Sequence, residues 1–146
     1  MEGSAAMSYD HRAIAEAHIK AWSVQDVDAI VACFAPDGVF DDVPLKSVFE
    51  GHEGVRAFAT AAFAAIPDFS QTIRTLTVDG EIVCFESVFS GTQTGDFPGI
   101  PATGKPFEIR CMTIEHIRDG LIHLHRDYWS LADYLQQVGL MPSPEA

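Results

Sequence analysis

His123, His125 and Asp127 alternate along Gly120-Leu-Ile-His-Leu-His-Arg-Asp-Tyr-Trp129, and in an extended strand that alternation puts all three side chains on one side. A carboxylate at the end of such a strand, set against Leu121, Ile122 and Leu124, loses hydration. Desolvation favours its protonated form and tunes it for proton transfer, with Arg126 opposing the shift. A second acidic pair stands at Asp41-Asp42. Neighbours in a strand point opposite ways, so one of the two faces inward and parity does not say which. The same holds for Arg110 and Cys111. His18 and Trp22 recur at four-residue spacing on one helical face, which suits either packing or a pocket wall.

Each of these groups has a plain structural use as well. Asp127 could cap the last helix or pair with Arg126, and His125 could be a satisfied core imidazole. A metal reading of His123-x-His125-x-Asp127 is weak, because residues two apart on a strand are separated by about 6.6 Å and further ligands would have to come from neighbouring strands. No metal or other cofactor is expected.

The balance of charge narrows the partners. With 9 Lys and Arg against 21 Asp and Glu, the net charge of -12 disfavours nucleic acid and anionic membrane surfaces, which need clustered cations. A small-molecule ligand is expected instead. The 47% hydrophobic content fits one globular domain, and no apolar run is long enough to span a bilayer. Cys33, Cys84 and Cys111 are odd in number, lack CxxC spacing and sit in apolar stretches, so they read as reduced thiols of a soluble, cytoplasmic protein.

The elements that must position these residues follow from periodicity. Residues 1–7 lack any and read as a disordered leader before a single domain over 8–146. Ser8 or Asp10 caps a helix running to Ser23, Asp26 caps a second over Val27 to Phe34, and Ala35-Pro-Asp-Gly38 reads as a turn into a strand, Val39 to Val43. Pro44 to Gly51 reads as a loop and His52 to Ile66 as a third helix, stopped by Pro67. Strands are then expected at Ser70 to Val78, Glu81 to Thr92, Phe107 to Arg118 and Leu121 to Tyr128, with turns at Asp79-Gly80 and Asp119-Gly120, before a closing helix over Leu131 to Val138. The loop Gly95 to Pro106 carries three Pro and three Gly together with Phe97 and Ile100, a composition suited to a lid. The sum is an α+β fold in which N-terminal helices cover one face of a curved antiparallel or mixed sheet around an apolar pocket. The opposite face would present Ile122, Leu124, Met112 and Ile114, an apolar patch that predicts a homodimer.

Four segments carry a resemblance: Phe34-Ala-Pro-Asp-Gly-Val-Phe-Asp-Asp-Val-Pro44, Gly51-His-Glu-Gly-Val-Arg56, Asp119-Gly-Leu-Ile followed by Arg126-Asp-Tyr-Trp129, and Gln137-Val-Gly-Leu140. Together they resemble SnoaL-like polyketide cyclases, members of the nuclear transport factor two-like cone superfamily with ketosteroid isomerases and limonene-epoxide hydrolases. The resemblance implies a conical α+β barrel with an apolar interior, and it implies Asp127 as the general acid/base of an intramolecular aldol closure, with His125 beside it. The position matching a further pocket His of those cyclases is Thr113. The Phe40-Asp-Asp-Val-Pro-Leu45 run echoes both other branches and points to Asp42, whereas the Arg and Asp that epoxide hydrolases carry on the long strand are Ser87 and Phe89 here.

The expected site therefore has Asp127, His125 and Asp42 as catalytic groups. His18, Trp22, Phe40, Phe89, Phe97, Ile100, Cys111, Thr113 and Trp129 would contact a carbonyl-bearing apolar or polycyclic ligand. Cyclisation or isomerisation leads, a non-catalytic ligand-binding or accessory domain is the alternative, and a hydrolase comes third.

Overall fold

The computed structural model describes residues 8–144, so the expected leader lies outside the described residues. Helix α1 (His11–Ser23) starts where the Asp10 side chain accepts the Ala13 amide, and α2 (Val27–Ala32) repeats the device with Asp26 and Ala29. The remaining elements are β1 (Phe34–Asp42), β2 (Ser47–Glu50), α3 (Gly51–Ala65), β3 (Ser70–Asp79), β4 (Ile82–Thr92), β5 (Pro106–Arg118), β6 (Leu121–Trp129) and α4 (Leu131–Gln137).

Three local expectations change. The second helix stops at Ala32 rather than Phe34, and Ala35 to Gly38 is an irregularity within β1 instead of a turn before it. Long-range pairing decides this: the Ile122 amide donates to the Cys33 carbonyl at 2.9 Å, and Phe34 pairs with Ile122. Gly38 is required there by close approach, since a Cβ would stand 2.7 Å from the Ile122 carbonyl oxygen. The stretch expected as a loop also contains β2, which pairs antiparallel with β1.

The strands form one open sheet in the order β2-β1-β6-β5-β4-β3, with β1 parallel to β6 and every other neighbour antiparallel. Register shifts at Phe34/Val39, Ile73/Thr75 and His116/Ile117 bend it, as bulges do. The helical side is packed by Ile19 and Trp22 of α1, Val55 and Phe58 of α3, and Phe34, Phe40, Phe85 and Ile122 of the sheet. Under α4 a smaller cluster gathers Phe107, Ile109, Tyr134 and Val138.

The shift at His116/Ile117 corrects two orientations. Ile117 pairs with Ile122 and His116 with Leu124, leaving His123 as the extra residue. Ile122 is thereby fully buried in the core, not on the outer face, while His123 lies off the buried set, its Nδ1 within 3.5 Å of Arg118. Beyond the bulge the alternation resumes, and His125 and Asp127 point inward together. No helix among the described residues is long and apolar enough to cross a membrane.

Candidate active site

Between the two clusters the concave face leaves an open-mouthed cavity. Its wall includes Trp22, Phe40, Phe58, Phe69, Phe89 and Trp129, and Asp42, Gln71, Gln93, His125, Asp127 and Tyr134 bring polar or charged groups to it. An apolar chamber with a few convergent polar groups suits a small, largely apolar ligand.

The two acids are brought together by the parallel pairing, because Asp42 and Asp127 are register partners on adjacent strands. They have different surroundings. Asp127 Oδ1 accepts from the Thr113 hydroxyl at 2.5 Å and forms an ion-pair contact with His125 Nε2 at 2.8 Å, while Oδ2 has no partner among the described residues. Asp42 receives the Leu45 amide at 3.3 Å. Burial, reinforced by the Asp127 charge, pushes the Asp42 carboxyl up to about 7; the Leu45 amide, the Trp129 side chain and His125 offset only part of that. Asp42 thus exchanges its proton near neutrality, where a general acid works best. Asp41 points the other way, and its carboxylate takes Arg126 Nε at 2.8 Å. Arg126 is therefore engaged outside the pocket, and α4 is capped by Ser130 rather than by Asp127.

Behind the wall the polar line continues. His125 Nδ1 and His18 Nδ1 both reach Glu115 Oε2, at 2.6 and 2.8 Å, and the Trp22 indole donates to His18 Nε2 at 3.1 Å. Burial disfavours charge on His125, but Asp127 and Glu115 override it and hold the imidazole well above the ordinary histidine range. Burial would raise Glu115, yet the two imidazoles hold it well below the usual carboxylate range. His18 is lowered, chiefly by burial. Phe40 stacks on His125 with centroids 4.3 Å apart, a contact that favours the imidazolium.

His18, Glu115 and His125 present three metal-type ligand atoms within 4.8 Å of one another. They do not fit an ion. A metal on His18 Nδ1 would leave the proton on Nε2, and that proton would meet the Trp22 N–H head-on at 3.1 Å. The indole instead requires a bare Nε2 and so fixes His18 as the neutral Nδ1–H tautomer.

Of the residues expected at the site, Asp127, His125, Asp42, Trp22, Phe40, Phe89, Phe97, Ile100 and Trp129 line the cavity. Three do not: His18 and Thr113 stand behind the wall as partners of Glu115 and Asp127, and Cys111 lies beneath it, 3.7 Å from Thr113. The alternation that buries Cys111 leaves Arg110 exposed. Burial raises the Cys111 thiol and pushes the Cys33 thiol up to about 11, so neither is a ready nucleophile. Sequence reasoning missed Glu115, although it occupies the inward parity of Phe107, Ile109, Cys111, Thr113 and Ile117. It also missed Phe58, Phe69, Gln71, Gln93 and Tyr134, which tertiary packing alone brings to the wall.

The segment expected as a lid is a tied turn. Phe97 and Ile100 bond each other's backbone at 3.1 and 2.8 Å around Pro98-Gly99, with Gly99 at φ +81°. Gln93 Nε2 binds the carbonyls of Gly95 and Ile100, and Tyr134 donates to Gln93 Oε1.

The SnoaL-like polyketide cyclase model matches residues 12–138. The chain belongs to this family. No curated protein sequence matches it. Among solved structures it is similar to a protein of ketosteroid isomerase-like fold from Catenulispora acidiphila DSM 44928, solved with trimethylamine, at 27% identity over 88% of this chain and 93% of that one, with TM-score 0.79. It is likewise similar to TsrD from Streptomyces laurentii, at 28% identity over 93% and 100%, with TM-score 0.80. IdmH from Streptomyces antibioticus, at 24% identity over 90% and 99% and TM-score 0.77, shares the fold. Family membership and these neighbours agree with the cone-shaped architecture expected from the sequence, here with an unclosed mixed sheet.

Proposed function

We propose that this SnoaL-like protein catalyses an acid/base aldol cyclisation or isomerisation of an apolar, carbonyl-bearing cyclic ligand. The observation that carries this reading is the pairing of two inward carboxyls, Asp42 and Asp127, in unlike environments at the wall of an otherwise apolar cavity. Asp127 Oδ2 takes a proton from the carbon next to the ligand carbonyl, and protonated Asp42 donates to the carbonyl oxygen, giving the enol. In a cyclisation the enol carbon attacks a second carbonyl carbon of the same molecule. Asp127 returns its proton to the new alkoxide and Asp42 recovers its own from the enol hydroxyl, so the product is an isomer of the substrate. Epoxide opening has no support, because Ser87 is fully buried against Gln71 and Phe89 packs edge-on to Trp129, where a water-activating Arg and Asp would be needed.

The bicyclic ketone 2-tetralone tests the proton transfer directly. Deuterium exchange at its acidic carbon in D₂O, followed by proton NMR, should run well above matched buffer and respond to pH near 7. Binding seen by tryptophan fluorescence without any added exchange would favour the non-catalytic alternative instead. Changing Phe97 and Ile100 together to Ser should weaken 2-tetralone binding roughly tenfold or more, since both line the cavity, with little loss of stability. Unchanged affinity would make the turn a mere connector.

The homodimer is proposed on a corrected patch. Met112 and Tyr128, register partners on the outer face, are 49% and 51% exposed, and Val48 is 57% exposed, with half-buried Ile114 and Leu124 among them. Light scattering at micromolar concentration should give twice the 15.9 kDa chain mass; the single-chain mass would overturn the dimer.

A further inference from the structure

Glu115 is a charge that no ligand can reach. It is wholly buried, as is His18, and its Oε1 is enclosed with no hydrogen-bond partner. A buried carboxylate with one bare oxygen is a poor structural element, since removing the charge altogether would relieve its desolvation. Its position at the back of the catalytic wall gives it another use.

Both nitrogens of His125 face carboxylate oxygens, Nδ1 at 2.6 Å from Glu115 and Nε2 at 2.8 Å from Asp127. A proton must lie in each gap, because two lone pairs at that distance would repel. On the Asp127 side Oδ1 already accepts from Thr113, which favours placing the proton on the nitrogen. His18 cannot share the positive charge while Trp22 donates to its Nε2.

We propose that Glu115 is a positioning residue: through Nδ1 it holds His125 as an imidazolium, whose Nε2–H pins Asp127 Oδ1 and leaves Oδ2 for the ligand. This rests on Asp127 as the proton acceptor. The ionisable groups facing His125 are His18 from α1, Asp42 from β1, Glu115 from β5 and Asp127 from β6, and the raised pKa of His125 agrees with their sum. Removing the Glu115 charge leaves the imidazolium with less negative charge around it. Its second proton should then be lost at lower pH, and the neutral ring that remains holds Asp127 Oδ1 only through a weaker, uncharged Nε2–H hydrogen bond.

Side-chain ¹⁵N NMR of the wild-type protein, which needs no ligand, should show both His125 nitrogens protonated from about pH 6 to 9, and His18 with one protonated and one bare nitrogen. A neutral His125 at pH 7 overturns the proposal. Glu115→Gln keeps the shape and removes the charge. The His125 midpoint should fall by about one pH unit or more, and 2-tetralone exchange at pH 8 should fall roughly tenfold with its Kd unchanged. A variant that melts lower but keeps the wild-type titration and rate-pH profile would make Glu115 merely structural and overturn the proposal, with Asp127 untouched. If this variant does not fold, the wild-type spectrum still decides. An imidazolium without probe exchange would sink the proton-transfer reading and uphold the hold of Glu115 on His125.

Discussion

Replacing Asp127 with Asn should slow 2-tetralone exchange by about two to four orders of magnitude and leave its binding nearly unchanged. The amide keeps the shape of the carboxyl, and its oxygen can still accept from Thr113 and from His125 as Asp127 Oδ1 does. What changes is the free atom. An NH₂ group in place of Oδ2 cannot take a proton from carbon, so the loss falls on turnover rather than on affinity. The loss would exceed anything expected from a displaced surface carboxylate, whose removal rarely shifts stability by more than about 0.5 kcal/mol. Turnover within about threefold of the parent would remove Asp127 from the mechanism. A large drop in melting temperature, with the exchange rate per folded molecule intact, would assign Asp127 to holding β6 against β5 through Thr113.

The part of this site that could be read from the sequence is the part that local alternation controls. His125 and Asp127 are two apart at the end of a strand, and so they share a face wherever that strand lies. His123 belongs to the same alternating run but loses its place to a bulge, and Ile122 takes the buried position instead. No turn residue marks that bulge; pairing with β5 creates it. The Ala35 to Gly38 run shows the opposite case, where strong turn composition is absorbed into a strand because β6 passes close by. Asp42 could be ranked above Asp41 only through the family resemblance, whereas in the fold the choice is physical: Asp41 finds Arg126 outside and Asp42 finds Asp127 inside.

Glu115 shares the strand parity of Cys111, but parity alone does not say which parity faces inward, and the two histidine partners of Glu115 come from α1 and β6, 97 and 10 residues away. Gln71, Gln93 and Tyr134 are likewise ordinary in sequence. Only the curvature that carries β3, the loop after β4 and α4 around one cavity makes them neighbours.

Asp42→Asn should make the protein more stable at pH 8 than the wild type, and hardly different at pH 5. The carboxyl of Asp42 in the fold titrates at about 7, raised by burial and by Asp127 above its value of 3.8 in an open chain. A group raised in this way stabilises the fold most fully below its unfolded pKa, and that contribution is lost as pH rises through 7. The wild type therefore surrenders stability between about pH 4 and 7, and an amide that cannot ionise does not. Allowing for a hydrogen bond the amide holds less well, the gain at pH 8 is on the order of 2 kcal/mol, or roughly 5 °C in melting temperature. Other shifted groups add their own slopes: Glu115, held low, gives up stability as pH falls below about 4.5, lowered His18 as pH falls below about 6.5, and His125, held high, as pH rises from about 6.5 toward 10. All three remain in the variant, so the difference between the two melting curves isolates Asp42. The same change should depress 2-tetralone exchange, because the proton donor to the carbonyl is gone. Stability gained at the expense of rate is what a catalytic group held in an unfavourable place predicts. A melting difference that is flat from pH 5 to 8, or a variant that is weaker at pH 8, would show that Asp42 carries no such burden, and the two-carboxyl mechanism would lose its acid.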